Sequence, residues 1–269
     1  MADKGKELVE KEEKNLNLMG DNPMEGLEDI DETAISLPRV KLLQATSPEV
    51  QGEEYADLNL RAGNLIELIS KEKISGVFIP VKVLPSTNVL FVPRTAEGKT
   101  VLKEKKEDIT DEDLAQQGGM ICISTDGKVG DRYGECSKCG LCLFQGNEKP
   151  ICQRSINILV MLDTGMPAIV SFRDTSYKHG SRFLSLLRNK ALTGTRMQSC
   201  KYKLSPAKRT RGDQQWYELT VVLNGNATEE EAMKAYEMYK TYSNINNINI
   251  VEEQEQVVNN SSEDVSEII

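Results

Sequence analysis

Histidine is nearly absent from this chain: His179 is the only one in 269 residues. A site built on imidazole has a single candidate base, and its neighbour Lys178 makes contact with phosphate or solvent the better reading. Aromatic residues are scarce at 5%, with Trp216 the sole tryptophan, and a hydrophobic share of 39% is low for one packed unit of this length. No apolar run reaches the length of a bilayer span or an export leader. The expectation is a cytoplasmic protein with no membrane partner and with its thiols reduced. Carboxylates are missing where a metal-dependent nuclease needs a cluster, since residues 154–211 contain only Asp163 and Asp174. A phosphate loop is missing too: Gly98-Lys99-Thr100 has a suitable ending, but Pro93 stands where the first glycine belongs. The expectation is no catalytic residues and no enzyme.

Charge is present but unevenly placed. The formal total of −9 conceals residues 1–35 with 11 acidic and 4 basic side chains, and residues 229–269 with 10 acidic and 2 basic. Residues 154–211 carry 12 Lys or Arg against two Asp. The acidic ends bury too little apolar surface to offset chain ordering and are expected to be disordered arms, at 1–34 and 244–269. The basic segment alternates apolar and charged residues, so it should fold and crowd its cations onto limited surface, which favours a polyanionic partner.

The cysteines carry the most specific spacing. Cys122, Cys136, Cys139 and Cys152 follow C-x13-C-x2-C-x12-C, and Cys136-Ser-Lys-Cys139-Gly140 reads as a metal knuckle. Two residues between thiolates let both sulfurs reach one ion, and the glycine permits the turn that aims amides at them. Four thiolates leave no open position for water, so the expected cofactor is a structural Zn2+ in a ribbon at 118–155. Two other readings stay open. Cys142 repeats the x2 spacing, making Cys136, Cys139, Cys142 and Cys152 an alternative set of iron–sulfur type. Six unrelated thiols with no metal is the other, and Cys200 reads as packing.

Apolar periodicity predicts strands at 35–43, 64–69, 76–84 and 88–92, then a charged excursion at 97–117 with a short helix capped by Asp111. Pro38 suggests an edge position for the first strand. In the third, Val77, Ile79, Val81 and Val83 should share one face, with Phe78, Lys82 and Leu84 on the other. Beyond the ribbon come strands at 156–162 and 168–172, a helix at 177–192, strands at 197–204 and 215–223, and a helix at 228–242 opened by a Thr228/Glu231 capping box. The fold class expected is mainly β with flanking helices. The layout is that of an OB-fold-like barrel over residues 35–225, with an inserted zinc ribbon and a C-terminal helix within 226–243.

Several stretches resemble a group of bacteriophage single-stranded DNA-binding proteins. They are Leu37-Pro38-Arg39-Val40-Lys41-Leu42-Leu43-Gln44 with Ser47-Pro48-Glu49-Val50, Phe78-Ile79-Pro80-Val81, and Cys122 with Ser124, Asp126-Gly127 and Gly130. The Cys136/Cys139 pair, Pro150 before Cys152, and Thr175-Ser176 ahead of a Leu-rich helix belong to the same likeness, which spans roughly 35–225. The layout also resembles the ribbon-bearing OB domain of the large subunit of eukaryotic replication protein A. Leu141-Cys142-Leu143-Phe144 departs from the phage pattern.

The resemblance implies sequence-tolerant binding of single-stranded DNA in phage replication, recombination or repair, within the host cytoplasm. Phosphate contacts are then expected from Arg173, Thr175, Ser176, Lys178, Arg182, Lys201, Lys203, Lys208, Arg209 and Arg211. Base stacking is expected from Tyr177, Tyr202, Trp216, Tyr217 and Phe91, the last beside Arg94, whereas Phe172 and Phe183 read as core. Of Trp216 and Tyr217, alternation should expose one. The resemblance further implies that the acidic tail, ending Asp264, Glu267, Ile268 and Ile269, docks on replication or recombination proteins. Two alternatives remain: a regulator docking its ribbon on RNA polymerase, and a substrate-holding subunit of a recombination mediator or nuclease.

Overall fold

The computed structural model describes residues 37–91, 120–142 and 150–243, all within one unit spanning 37–269. Its strands are β1 (Arg39–Leu42), β2 (Leu65–Glu67), β3 (Val77–Val83), β4 (Thr87–Phe91), β5 (Met120–Ser124), β6 (Val129–Gly130) and β7 (Gly134–Glu135). After these come β8 (Gln153–Leu162), β9 (Pro167–Arg173), β10 (Cys200–Arg211) and β11 (Gln214–Asn226). The helices are α1 (Pro48–Gln51), α2 (Cys136–Cys139), α3 (Tyr177–Leu192) and α4 (Glu229–Thr241).

The protein is mainly β. One sheet runs β11-β10-β3-β8-β9-β1-β2 and curls into a half-barrel, with β4 joined to β8 and β5 joined to β4. All these pairings are antiparallel except β1 with β9. β8 is the spine, and its near-continuous apolar run is explained by burial on both faces. Ile156, Ile158, Val160 and Leu162 enter one cluster with Ala168, Val170 and Phe172 of β9, Tyr202 and Leu204 of β10, and Phe183 and Leu187 of α3. Leu159 and Met161 enter a second with Ile79, Val81 and Ile169, covered by Ala235 and Met238 of α4. α3 and α4 therefore each close one face of the curled sheet. α4 starts as expected, with Thr228 Oγ1 accepting the Glu231 amide at 3.2 Å and Glu231 Oε2 accepting the Thr228 amide at 2.8 Å.

Two local expectations are corrected. β1 is internal, lying between β9 and β2. Pro38 is tolerated because it precedes the strand, where its missing N–H leaves no ladder gap, and its carbonyl accepts the Ile169 amide at 2.7 Å. In β3, a register shift against β8 between Pro80 and Lys82 inserts one residue and breaks the alternation. Leu84 consequently joins Ile79 and Val81 in one cluster, while Val83 is exposed.

Polar side chains tie the β4 arm to the barrel. Arg39 Nη2 donates to Ser171 Oγ at 2.9 Å, Ser171 Oγ donates to Asn157 Oδ1 at 2.8 Å, and Asn157 Nδ2 donates to Thr87 Oγ1 at 3.3 Å. Thr87 and Ser155 hydroxyls close the chain. The charged excursion at 97–117 with Asp111, Arg94, the arm at 1–34 and the tail at 244–269 lie outside the described residues.

Candidate metal centre and nucleic-acid interface

The β4–β5 arm brings the thiols together. Leu90 pairs with Cys122 across the arm, β6 and β7 form a short hairpin, and α2 is the single turn that holds Cys136 and Cys139. Gly140 has φ 73°, the left-handed turn the spacing anticipates. The Cys152 amide then donates to Leu141 O at 3.0 Å, bringing the two chain ends side by side. Cys122, Cys136, Cys139, Cys142 and Cys152 all line one void of about 10 Å³, closed by Leu90, Tyr133 and Leu141. That is the volume of a single water-sized particle. Among the described residues, no three His, Cys, Asp or Glu side chains are closed into a ready metal geometry.

The thiols are electrically coupled. The Cys142 thiol is pushed down to about 6, chiefly by its hydrogen bond with Cys152 and against the opposing effect of burial. The same contact, with burial, pushes Cys152 up. Their first ionisation is eased and their second opposed, as expected of two neighbouring thiols that share a hydrogen bond. Burial also pushes Cys122 up, against amide hydrogen bonds from Arg132 and Tyr133. All five are soft donors suited to zinc.

The second region is the β10–β11 hairpin. Its register sets Arg209 opposite Trp216 and Lys208 opposite Tyr217, with Gly212 at φ 58° in the turn. Lys203, Lys208, Arg209 and Arg211 are exposed, and Lys203, Arg209 and Arg211 alternate onto one face of β10. Beneath them lies Glu218, 3% exposed, which gathers Arg209 Nε at 3.0 Å, His179 Nε2 at 3.2 Å and Lys178 Nζ at 3.3 Å. The start of α3 is thereby joined to the hairpin.

Beside this junction opens a cleft of about 290 Å³, walled by Gln44, Ala45, Thr46, Asp174, Thr175, Gln215, Trp216 and Tyr217. Gln44 extends β11 sideways: its Nε2 donates to Tyr217 O at 3.0 Å and its Oε1 accepts the Tyr217 amide at 2.8 Å. Trp216 and Tyr217 are both half-buried, so the expected division into one exposed and one buried ring does not hold. Tyr217 packs against Gly63, where a Cβ would come within 2.7 Å of the ring. Asp174 adopts φ 47° in the 3-10 turn at the rim, Asp174–Ser176.

The remaining sequence-derived residues divide. Thr175 faces the cleft, Arg182 is exposed on α3, and Arg173 is half-buried at the end of β9. Arg154, which the sequence reading did not single out, lies over the Tyr177 ring at 5.5 Å from its centroid. Lys201 pairs with Glu231 of α4 at 3.0 Å, and Phe91 is half-buried in the β4 arm. One assignment is corrected. Tyr202 is fully buried, edge-on to Phe183 with centroids 4.8 Å apart, and is core because its face of β10 also carries Cys200 and Leu204. Ser176 Oγ accepts the Leu219 amide at 2.8 Å, which leaves its hydroxyl proton to donate. Cys200 packs as expected.

Gln44 and Glu218 are the organisers that sequence reasoning missed as site residues. Gln44 stood in a quoted stretch but gave no sign that its amide would complete a strand some 173 positions on. No helix among the described residues is long and apolar enough to cross a membrane. No curated protein and no solved structure matches the chain. A sequence model does, over residues 10–248, and the chain belongs to the family it describes, the Pam3 phage gp34-like proteins.

Proposed function

We propose that this phage protein binds single-stranded DNA without sequence preference, as a non-catalytic component of replication, recombination or repair in the host cytoplasm. The observation that carries the reading is the junction of an exposed basic hairpin end with a ring-walled cleft. Single strands offer a phosphate chain and bare base faces. Lys203, Lys208, Arg209 and Arg211 supply the first contact by displacing condensed counterions. Trp216 and Tyr217, at the edge of a cleft of about 290 Å³, supply surfaces on which a splayed base stacks. The thiol-lined end holds a structural Zn2+, which stiffens the β4–β5 arm without offering a catalytic position. The acidic tail with Asp264, Glu267, Ile268 and Ile269 recruits other replication proteins.

Titration of a fluorescent oligonucleotide at two salt concentrations tests this. The expected result is tight, salt-sensitive binding to single strands of unrelated sequence, with much weaker binding to duplex. Equal affinity for the two forms overturns the reading.

A further inference from the structure

Glu218 sits among the cations of the hairpin end, and its bonds fix how two of them are presented. It is buried, whereas the side chains of Arg209 and Lys178 are 46% and 56% exposed. A ligand arriving from solvent therefore meets the two cations and not the acid between them. The atoms used matter. Arg209 gives Glu218 Oε2 its Nε–H at 3.0 Å, so the four N–H groups on its Nη atoms take no part in that bond. Those groups form the planar fork that meets two phosphate oxygens at once. Lys178 Nζ gives Oε1 one of its three hydrogens at 3.3 Å. His179 Nε2 lies 3.2 Å from Oε2 and braces the carboxylate from a third side.

Position completes the arrangement. Glu218 and Trp216 are two residues apart on β11 and share a face. Arg209 stands directly opposite Trp216 across the hairpin. The guanidinium tied to Glu218 therefore lies beside the ring that borders the cleft. Lys178 comes from the first turn of α3, directly after the 3-10 turn Asp174–Ser176 at the cleft rim.

We infer that Glu218 is a positioning residue: it holds Arg209 and Lys178 as one phosphate seat beside Trp216, so that a single nucleotide is gripped by backbone and base together. This rests on the reading of the hairpin end as a surface for single-stranded DNA. The seat stays positive, because two cations outnumber one hidden carboxylate. Long cationic side chains lose rotamer freedom when they close on a ligand. Here the fold orders two of them beforehand, so less freedom is lost on binding.

The test turns on a sign. Glu218→Gln makes the surface more positive, so charge alone predicts tighter binding and a steeper salt slope. Positioning predicts the reverse. Affinity for a single-stranded oligonucleotide should fall by about fivefold or more. The log–log salt slope should become shallower by about 0.7, as one phosphate contact is lost. Arg209→Lys keeps the charge but removes the tethered fork, and it should weaken binding by a similar factor. Both variants are measured as full-length protein at neutral pH, with folding checked by circular dichroism. Glu218→Gln at wild-type affinity or tighter overturns the inference, and so does weaker binding with an unchanged slope, which marks a loosened structure. Arg209→Lys at wild-type affinity overturns it as well. Should Glu218→Gln fail to fold, Arg209→Lys decides alone. Wild-type protein with no preference for single strands overturns the reading beneath, whereas a wild type that prefers them isolates the role of Glu218.

Discussion

Glu218 lies buried beneath Arg209, its Oε2 accepting the guanidinium Nε–H at 3.0 Å. Burial alone pushes the carboxyl up, but hydrogen bonds from Arg209, His179 and Lys178 outweigh it and hold the group at about 2. A buried carboxylate without partners is strongly unfavourable. The acid therefore gathers cations from two elements that are distant in sequence, so the basic face is arranged around an anion.

That arrangement predicts an acid-sensitive contribution to stability. A carboxyl held at about 2, against an ordinary value of 4.5, stabilises the fold fully above pH 4.5. The contribution fades as pH falls below 4.5 and is gone once pH passes through about 2. Its size is on the order of 2 kcal/mol, because Lys178 and Arg209 are half-exposed and screened by solvent. Urea denaturation between pH 6 and pH 2.5 measures it. Glu218→Gln should lower stability at pH 6 and flatten the acid limb, and an unchanged limb rules out this carboxyl as its source.

The cations make separable contributions to the proposed DNA binding. Arg211 is exposed at the hairpin end, whereas Lys201 is engaged with Glu231 at 3.0 Å. If Arg211 neutralises one phosphate, Arg211→Ala should reduce the log–log salt slope by about 0.7. Lys201→Ala should leave it nearly unchanged. Oligonucleotide affinity at four salt concentrations gives both slopes, and an unchanged slope in Arg211→Ala would remove the hairpin end from the interface.

How much was readable in advance depended on the range of the interaction. Short-range signals carried through, including the Thr228/Glu231 box, the Gly140 turn and the succession of strands along the chain at 76–84 and 88–92. In β10 the structure sets Cys200, Tyr202 and Leu204 on the buried face and Lys203 on the exposed one. The stacking expected of Tyr202 follows from its lysine neighbours along the chain, whereas its burial follows from the face of the strand it occupies. The bulge at Pro80 escaped because alternation assumes an unbroken ladder, and its partner strand lies some 80 positions away. Glu218 escaped for a similar reason: nothing beside it in sequence marks an acid destined for Lys178 and His179.

Gly180 sets the spacing between α3 and β9. It is buried in the helix, and a Cβ there would lie 2.6 Å from Phe172 Cβ and 2.7 Å from the ring. Alanine is favoured over glycine by about 1 kcal/mol in an exposed helix interior. Here the clash is with a core side chain that has little room to yield, and overpacking of this kind typically costs about 1–3 kcal/mol. Gly180→Ala should therefore lower the thermal midpoint. A rise would mean that the helix lifts off Phe172 freely.

Trp216 offers the sharpest test of the stacking half of the reading, because it is the only tryptophan and its fluorescence reports one place. Its indole Nε1 is buried with no hydrogen-bond partner among the described residues, and its ring borders the cleft beside Thr175. A base stacked on the ring should quench the emission as an oligonucleotide saturates the protein. Stacking is worth about 1–3 kcal/mol per base, so Trp216→Ala should weaken binding by about 5- to 150-fold. The salt slope should stay where it was, because no phosphate contact is removed. Trp216→Phe keeps an aromatic face and should recover most of the loss, which separates stacking from a general loosening of the hairpin. Emission unchanged at saturation, together with wild-type affinity in Trp216→Ala, would leave the cleft with no part in binding.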